Sequence, residues 1–126
     1  MLKKQRIPRC TLATSEGSFG YTGKGTILEP ETVPLGAVGR VEYDSEGHGV
    51  GAETLSLGGM PLQRTYEVTL GPPNPNCTGS GFFLDSFGRH STFDYVLVGR
   101  ATEVFILSTD SGTVLTVHGV RQSNRR

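Results

Sequence analysis

TFDYVLV (residues 92–98), TEVFILST (102–109) and GTVLTVHGVR (112–121) are three short runs rich in Val, Ile, Leu, Phe, Tyr and Thr, the side chains that fit a pleated, half-buried surface. Gly99-Arg100 and Asp110-Ser111-Gly112 punctuate them, and both are turn chemistry. Connections this short leave no room for a crossover helix, so the three strands must run antiparallel as a β-meander.

The same pattern continues upstream. GSFGYTGKGTIL (17–28) alternates Phe19 and Tyr21 with glycine, a glycine-rich first strand of the kind that bends strongly or lets another chain segment approach closely. EPETVPLG (29–36) holds two prolines and reads as a loop or edge crossing. AVGRVEYD (37–44) and HGVGAETLSL (48–57) flank the hairpin loop Ser45-Glu46-Gly47. Gly58-Gly59-Met60-Pro61 turns the chain into LQRTYEVTL (62–70), GPPNPN (71–76) breaks it, CTGSGFFL (77–84) is a further strand, and DSFGRH (85–90) turns into the meander. The sum is about eight strands of typical length, the number at which an up-and-down sheet closes on itself and either fills with side chains or holds one small ligand. The expected fold is all-β, an eight-stranded antiparallel up-and-down barrel over residues 12–122, with a polar, flexible lead-in over 1–11 and a tail over 123–126. A β-sandwich is the alternative, disfavoured because nearly every connection is hairpin-like and no long Greek-key return is evident.

Composition agrees. The chain has 126 residues, 18 glycines, seven prolines and no tryptophan, enough for one core and suited to short strands joined by tight turns. Twelve basic residues balance twelve acidic ones, so no net field draws nucleic acid or an anionic membrane. No run approaches a membrane-spanning apolar helix. MLKKQRIPRC (1–10) is charged but lacks a following apolar signal region, which reads as cytoplasmic; a secreted form whose signal has been removed is the alternative. Cys10 and Cys77 are either one bridge or two buried thiols, according to compartment. Their spacing has no metal-ligand character, and no metal or cofactor is expected.

Strand parity sorts the candidate residues. Phe93, Tyr95 and Leu97 share one face opposite Asp94, Val96 and Val98; Phe105 and Leu107 oppose Val104 and Ile106. Both faces are therefore apolar, which a solvated barrel wall should not be. The Pro-rich loop, the lead-in or a second subunit is expected to cover the outside, and a homo-oligomer, a dimer first, is the expectation. Arg64 and Tyr66 share a face with Val68 and Leu70. A guanidinium on an apolar face needs a partner, which is Glu53, Asp94 or Glu103, or else a ligand oxygen. Asp94 and Glu103, inside apolar strands, could act as acid or base if buried. His118, mid-strand beside Val117 and Gly119, is a proton shuttle if its face is the inner one, while His48 and His90 fall in turns. Phe93, Tyr95, Phe105 and Tyr21 supply aromatic surface for an apolar pocket. No nucleophile elbow, P-loop, zinc-protease or dinucleotide motif occurs.

The segments CTLATSEGSFGYTGKGTIL, AVGRVEYDSEGHGVGAETLSLGG, RTYEVTLGPPNPNCTGSG, TFDYVLV and EVFILSTDSGTV, with a closing VRQ, together resemble a group of small uncharacterised bacterial proteins, often secreted. The resemblance covers residues 10–122, and its distinctive pieces are Tyr66 with Asn76-Cys77-Thr78-Gly79, Phe93-Asp94, Glu103 and Thr109-Asp110. By architecture that group looks like the calycin-type (lipocalin-like) and allene-oxide-cyclase-like barrels, a class of lipid carriers and cofactor-free cyclases. The resemblance implies a Cys10–Cys77 disulfide if the chain is exported. Two features depart from it: the lack of a signal segment, and His118 where a small or hydroxylated residue is expected.

The expected function is therefore the binding of a hydrophobic small molecule inside the barrel. Its enzymatic form is a cofactor-independent cyclase or isomerase using Tyr66, His118 and Arg64, with Tyr21, Phe93, Tyr95, Phe105, Glu103 and Asp94 around the ligand. Its other forms are a non-catalytic carrier and a solid-cored interaction domain.

Overall fold

The computed structural model of the chain describes residues 10–123. Eight strands, β1 (Gly17–Ile27), β2 (Val33–Tyr43), β3 (His48–Leu57), β4 (Met60–Leu70), β5 (Thr78–Asp85), β6 (His90–Val98), β7 (Glu103–Ser108) and β8 (Thr113–Ser123), follow one another around a closed barrel in chain order. Every neighbouring pair is antiparallel, and β1 closes the barrel against β8 through pairs from Ile27↔Thr113 to Phe19↔Arg121. Closure removes the two free edges that an open sheet would present to other chains, and it excludes the sandwich. Among the described residues no helix is long and apolar enough to cross a membrane.

Two prolines sit inside strands where loop or turn was expected. Pro34 belongs to β2 and faces Thr26 of β1, and Pro61 belongs to β4 and faces Ser56 of β3. Each is tolerated because its strand has only one partner there: β2 pairs with β3 only from Leu35 onward, and β4 pairs with β5 only from Tyr66 onward. A residue without an N–H costs a ladder nothing on an unpaired side. The β3–β4 turn shrinks accordingly to Gly58-Gly59, both at positive φ (59° and 92°), as a two-residue hairpin requires.

One end of the barrel is plugged. A 3₁₀ turn, Leu12–Ser15, lies across it, and Arg121 pins that turn by donating from Nη2 to the carbonyl of Thr14 (2.8 Å), from Nη1 to that of Glu16 (2.5 Å) and from Nε to that of Ala101 (2.8 Å). Its guanidinium lies 4.7 Å from the Phe19 ring centre. Cys10 and Cys77 are joined by a disulfide with a Cα–Cα distance of 5.2 Å, and both are buried. The lead-in expected over residues 1–11 thus ends at Thr11 in an anchored segment, since Cys10 is bonded and Thr11 opens the 3₁₀ turn; residues 1–9 lie outside the described part. The expected tail starts at Ser123, which is the last residue of β8, and residues 124–126 lie outside the described part.

Candidate functional site

Inward-facing side chains divide the barrel into two halves. Toward the plugged end Phe19, Val41, Tyr43, Val68, Leu70, Tyr95 and Leu97 are buried and pack with the disulfide into one cluster. Toward the other end Leu55 is buried, while Ile27, Leu35, Ala37, Leu57, Leu115 and Val117 also point inward but are half-buried. The interior keeps a cavity of about 160 Å³ that is lined by residues of both halves. By volume this is close to the engineered cavity of about 150 Å³ that stays dry and takes up benzene.

The floor of the open half of this cavity is built by tyrosines lying on glycines, and Phe19, Tyr43 and Leu70 line the cavity beyond them. Tyr21 on β1 stands opposite Gly39 on β2, and Tyr66 on β4 stands opposite Gly51 on β3. A Cβ on Gly39 would come within 2.7 Å of the Tyr21 hydroxyl, and one on Gly51 within 2.3 Å of Tyr66 Cζ. Only a strand without side chains at those places lets each ring lie flat across it. The two rings therefore extend toward one another over β2 and β3, and their hydroxyl oxygens meet at 2.6 Å.

A polar chain continues from that meeting point. The Tyr21 hydroxyl donates to Glu53 Oε1 (2.7 Å), Arg64 Nε donates to Glu53 Oε2, and Arg64 Nη1 donates to Asp85 Oδ2 (2.6 Å). Asp85 Oδ1 accepts the backbone N–H groups of Phe87 and Arg89, each at 2.9 Å. The Arg64 guanidinium also lies 5.1 Å from the Phe83 ring centre, a cation–π distance. No buried side-chain nitrogen or oxygen among the described residues lacks a partner, which is what makes a charged cluster tolerable in an apolar interior.

Electrostatics fix the protonation of this chain. Burial pushes the Tyr21 phenol far above its ordinary value, and the neighbouring Tyr66 and Glu53 push the same way. Burial likewise raises Tyr66 against the opposing effects of its hydrogen bond to Tyr21 and of Arg64. Both phenols stay protonated at neutral pH. At Asp85 burial acts upward, but the Arg89 N–H, the Arg64 guanidinium and the Phe87 N–H together outweigh it and hold the carboxyl below the usual range.

The residues expected at a site fall into two groups. Tyr66, Arg64, Tyr21, Phe93 and Tyr95 all line the interior; Tyr95 also donates from its hydroxyl to the Gly71 carbonyl at 3.0 Å. His118, Phe105, Glu103 and Asp94 do not. His118 Nε2 meets Glu103 Oε1 at 2.7 Å and its ring stacks on Phe105 at 4.6 Å, all on the outer wall. Asp94 accepts from Ser80 Oγ at 2.7 Å, also outside. Strand parity explains the correction: Val104, Ile106 and Val117 take the inner face, which sends Phe105 and His118 outward. Three residues of this outer wall, Phe105, Leu107 and Val120, are 45–50% exposed, so none of the described segments covers it as expected.

Asp85 is the cluster member that reading the sequence misses. DSFG is a turn signal, and one carboxylate oxygen does cap that turn, but the other points inward to Arg64. Among the described residues no group of three or more His, Cys, Asp or Glu is placed to hold a metal ion. No protein-family profile matches the chain, and no curated protein matches it significantly in sequence.

Proposed function

We propose that this barrel binds a small, mainly apolar molecule, about one ring in size, in its interior cavity, and that it carries or sequesters the molecule without transforming it. The observation that carries the reading is the cavity of about 160 Å³ inside the barrel, whose wall is mainly apolar from Ile27, Leu35, Leu57 and Leu115 at the open end down to Phe19 and Leu70 near the plugged end, with the Tyr21–Tyr66 pair between them. Apolar walls with a few convergent polar groups are the usual make-up of a ligand site. Carriage fits better than a cyclase or isomerase. The three side chains envisaged for proton transfer do not converge, since His118 is outside, and the two floor phenols are held protonated with their protons engaged within the protein.

Titration of methyl-labelled protein with benzene tests this. Expected are saturable shifts of the methyl signals of Ile27, Leu35, Leu57 and Leu115, with Leu84 and Leu107 on the outer wall unmoved. Shifts confined to the outer wall, or none, would overturn the reading. The outer wall supports a second proposal, self-association into a dimer, because apolar side chains at Phe105, Leu107, Val114 and Val120 lie on the adjoining strands β7 and β8. Sedimentation of the native chain and of Leu107→Asp should show a dimer lost in the variant; a native monomer at all concentrations removes it.

A further inference from the structure

The cavity floor has a defined set of hydrogen-bonding groups left over, and they specify a ligand class. Tyr21 has one hydroxyl proton and gives it to Glu53. The 2.6 Å contact between the two phenols therefore has Tyr66 as donor. That spends the only proton of Tyr66 and leaves its oxygen as an acceptor with no donor among the described residues. Arg64 uses Nε on Glu53 and Nη1 on Asp85. Its Nη2 has no acceptor among the described residues, and it is not enclosed, because no buried side-chain polar atom there is without a partner. Arg64 and Tyr66 both line the cavity, Arg64 also bordering an outer depression beside Gln63, Thr65 and Ser86, and Nη2 is assigned here to the cavity side. The floor thus offers the ligand one donor and one acceptor from adjoining members of the same cluster.

We infer that the ligand carries a neutral hydroxyl group, an alcohol or a phenol, whose oxygen accepts from Arg64 Nη2 and whose proton goes to Tyr66 Oη. This rests on the binding reading above and narrows it. A hydroxyl is the smallest group that satisfies both sides. A carbonyl accepts from Arg64 but leaves the Tyr66 oxygen without a donor, and a methyl group satisfies neither. A carboxylate is worse placed still, because Arg64 is already flanked by the carboxylates of Glu53 and Asp85, so a third negative charge would enter a site where two already face one guanidinium. The lower wall of the site, Phe83 against Tyr66 at 5.5 Å between ring centres, presents aromatic surface to the body of the ligand.

The test uses the native chain with phenol, toluene, benzaldehyde and benzoate, which share one ring and differ in the polar group. Water holds phenol more strongly than toluene, so without hydrogen bonds at the floor toluene must bind tighter. The expected result is the reverse order, phenol tightest and benzoate weakest, with a phenol-to-toluene affinity ratio that falls about tenfold in Tyr66→Phe. The native ranking stands on its own if that variant folds poorly. Toluene or benzaldehyde binding tighter than phenol, benzoate binding tightest, or a ratio unmoved by Tyr66→Phe in a folded variant overturns the hydroxyl assignment while leaving the cavity reading intact. Failure of all four compounds to bind overturns both.

Discussion

The hydroxyl oxygens of Tyr21 and Tyr66 lie 2.6 Å apart although the residues are 45 positions apart in the chain and stand on β1 and β4, with two strands between them. Their meeting makes the cavity floor a single unit: Tyr66 donates to Tyr21, Tyr21 to Glu53, and Glu53 holds Arg64. Removing one hydroxyl should therefore change what the other is worth. Tyr21→Phe leaves a Glu53 oxygen without its donor and is expected to cost about 1–3 kcal/mol, and Tyr66→Phe about 1 kcal/mol. The double variant should cost less than the sum by about 1 kcal/mol, measured by urea unfolding of all four proteins. Strict additivity would mean that the two phenols act independently.

The rings can meet only because Gly39 and Gly51 present no side chain. Gly51→Ala places a methyl group 2.3 Å from Tyr66 Cζ and 2.4 Å from its hydroxyl, so the ring must leave the floor. A destabilisation of about 1–3 kcal/mol is expected, together with loss of phenol selectivity. Gly36 is the internal control: it lies on β2, nothing stands within 4 Å of its added Cβ, and Gly36→Ala should change stability by less than about 0.5 kcal/mol. Equal effects at the two glycines would show that strand flexibility, not ring placement, governs this wall.

Glycine and aromatic spacing was also where the sequence was most informative. Short runs separated by Gly, Pro, Asn and Asp located all eight strands, and His48–Leu57 coincides with β3 end for end. Parity placed Phe93, Tyr95 and Leu97 together, and Arg64 with Tyr66, because a strand has only two faces. Which face lies inside was not legible. His118 shares its face with Val114 and Val120, as apolar as the opposite face of Leu115 and Val117, so hydrophobicity could not choose. Nor could local reading find Asp85, because its capping of the 86–89 turn accounts for one oxygen and hides the other. Pro34 and Pro61 misled for the same kind of reason: their tolerance depends on where a neighbouring strand stops.

Acid should weaken the cavity floor through Asp85. Its carboxyl is held below the usual range in the folded chain, so the native state binds this proton less readily than the unfolded one. The stability it contributes is complete above the unfolded-state value of about 3.9 and is lost as pH falls through the lower folded value. Thermal melts of the native protein and Asp85→Asn should differ most above about pH 5 and converge toward pH 2. A gap that stays constant over this range would show that the Arg64–Asp85 pairing adds no pH-dependent stability.

The plugged end is expected to respond to reductant without the mouth responding in kind. The bridge from Cys10 to Cys77 spans 67 positions, and in the chain-entropy account a loop of that length is worth about 4 kcal/mol. Paired replacement, Cys10→Ser with Cys77→Ser, should lower stability by about 2–5 kcal/mol. It should also release amide protection first at Thr14 and Glu16, whose N–H groups bond within the 3₁₀ segment at 3.0 and 3.1 Å. The strands around the mouth are held by continuous pairing from Ile27↔Val33 through Leu57↔Met60, which the bridge does not touch. Benzene or phenol affinity in the folded double variant should then stay within about twofold of the native value, since neither cysteine lines the cavity and Ser15 is the one residue of the 3₁₀ segment that does. A loss of binding that tracks the loss of the bridge would mean instead that the packed end sets the shape of the cavity.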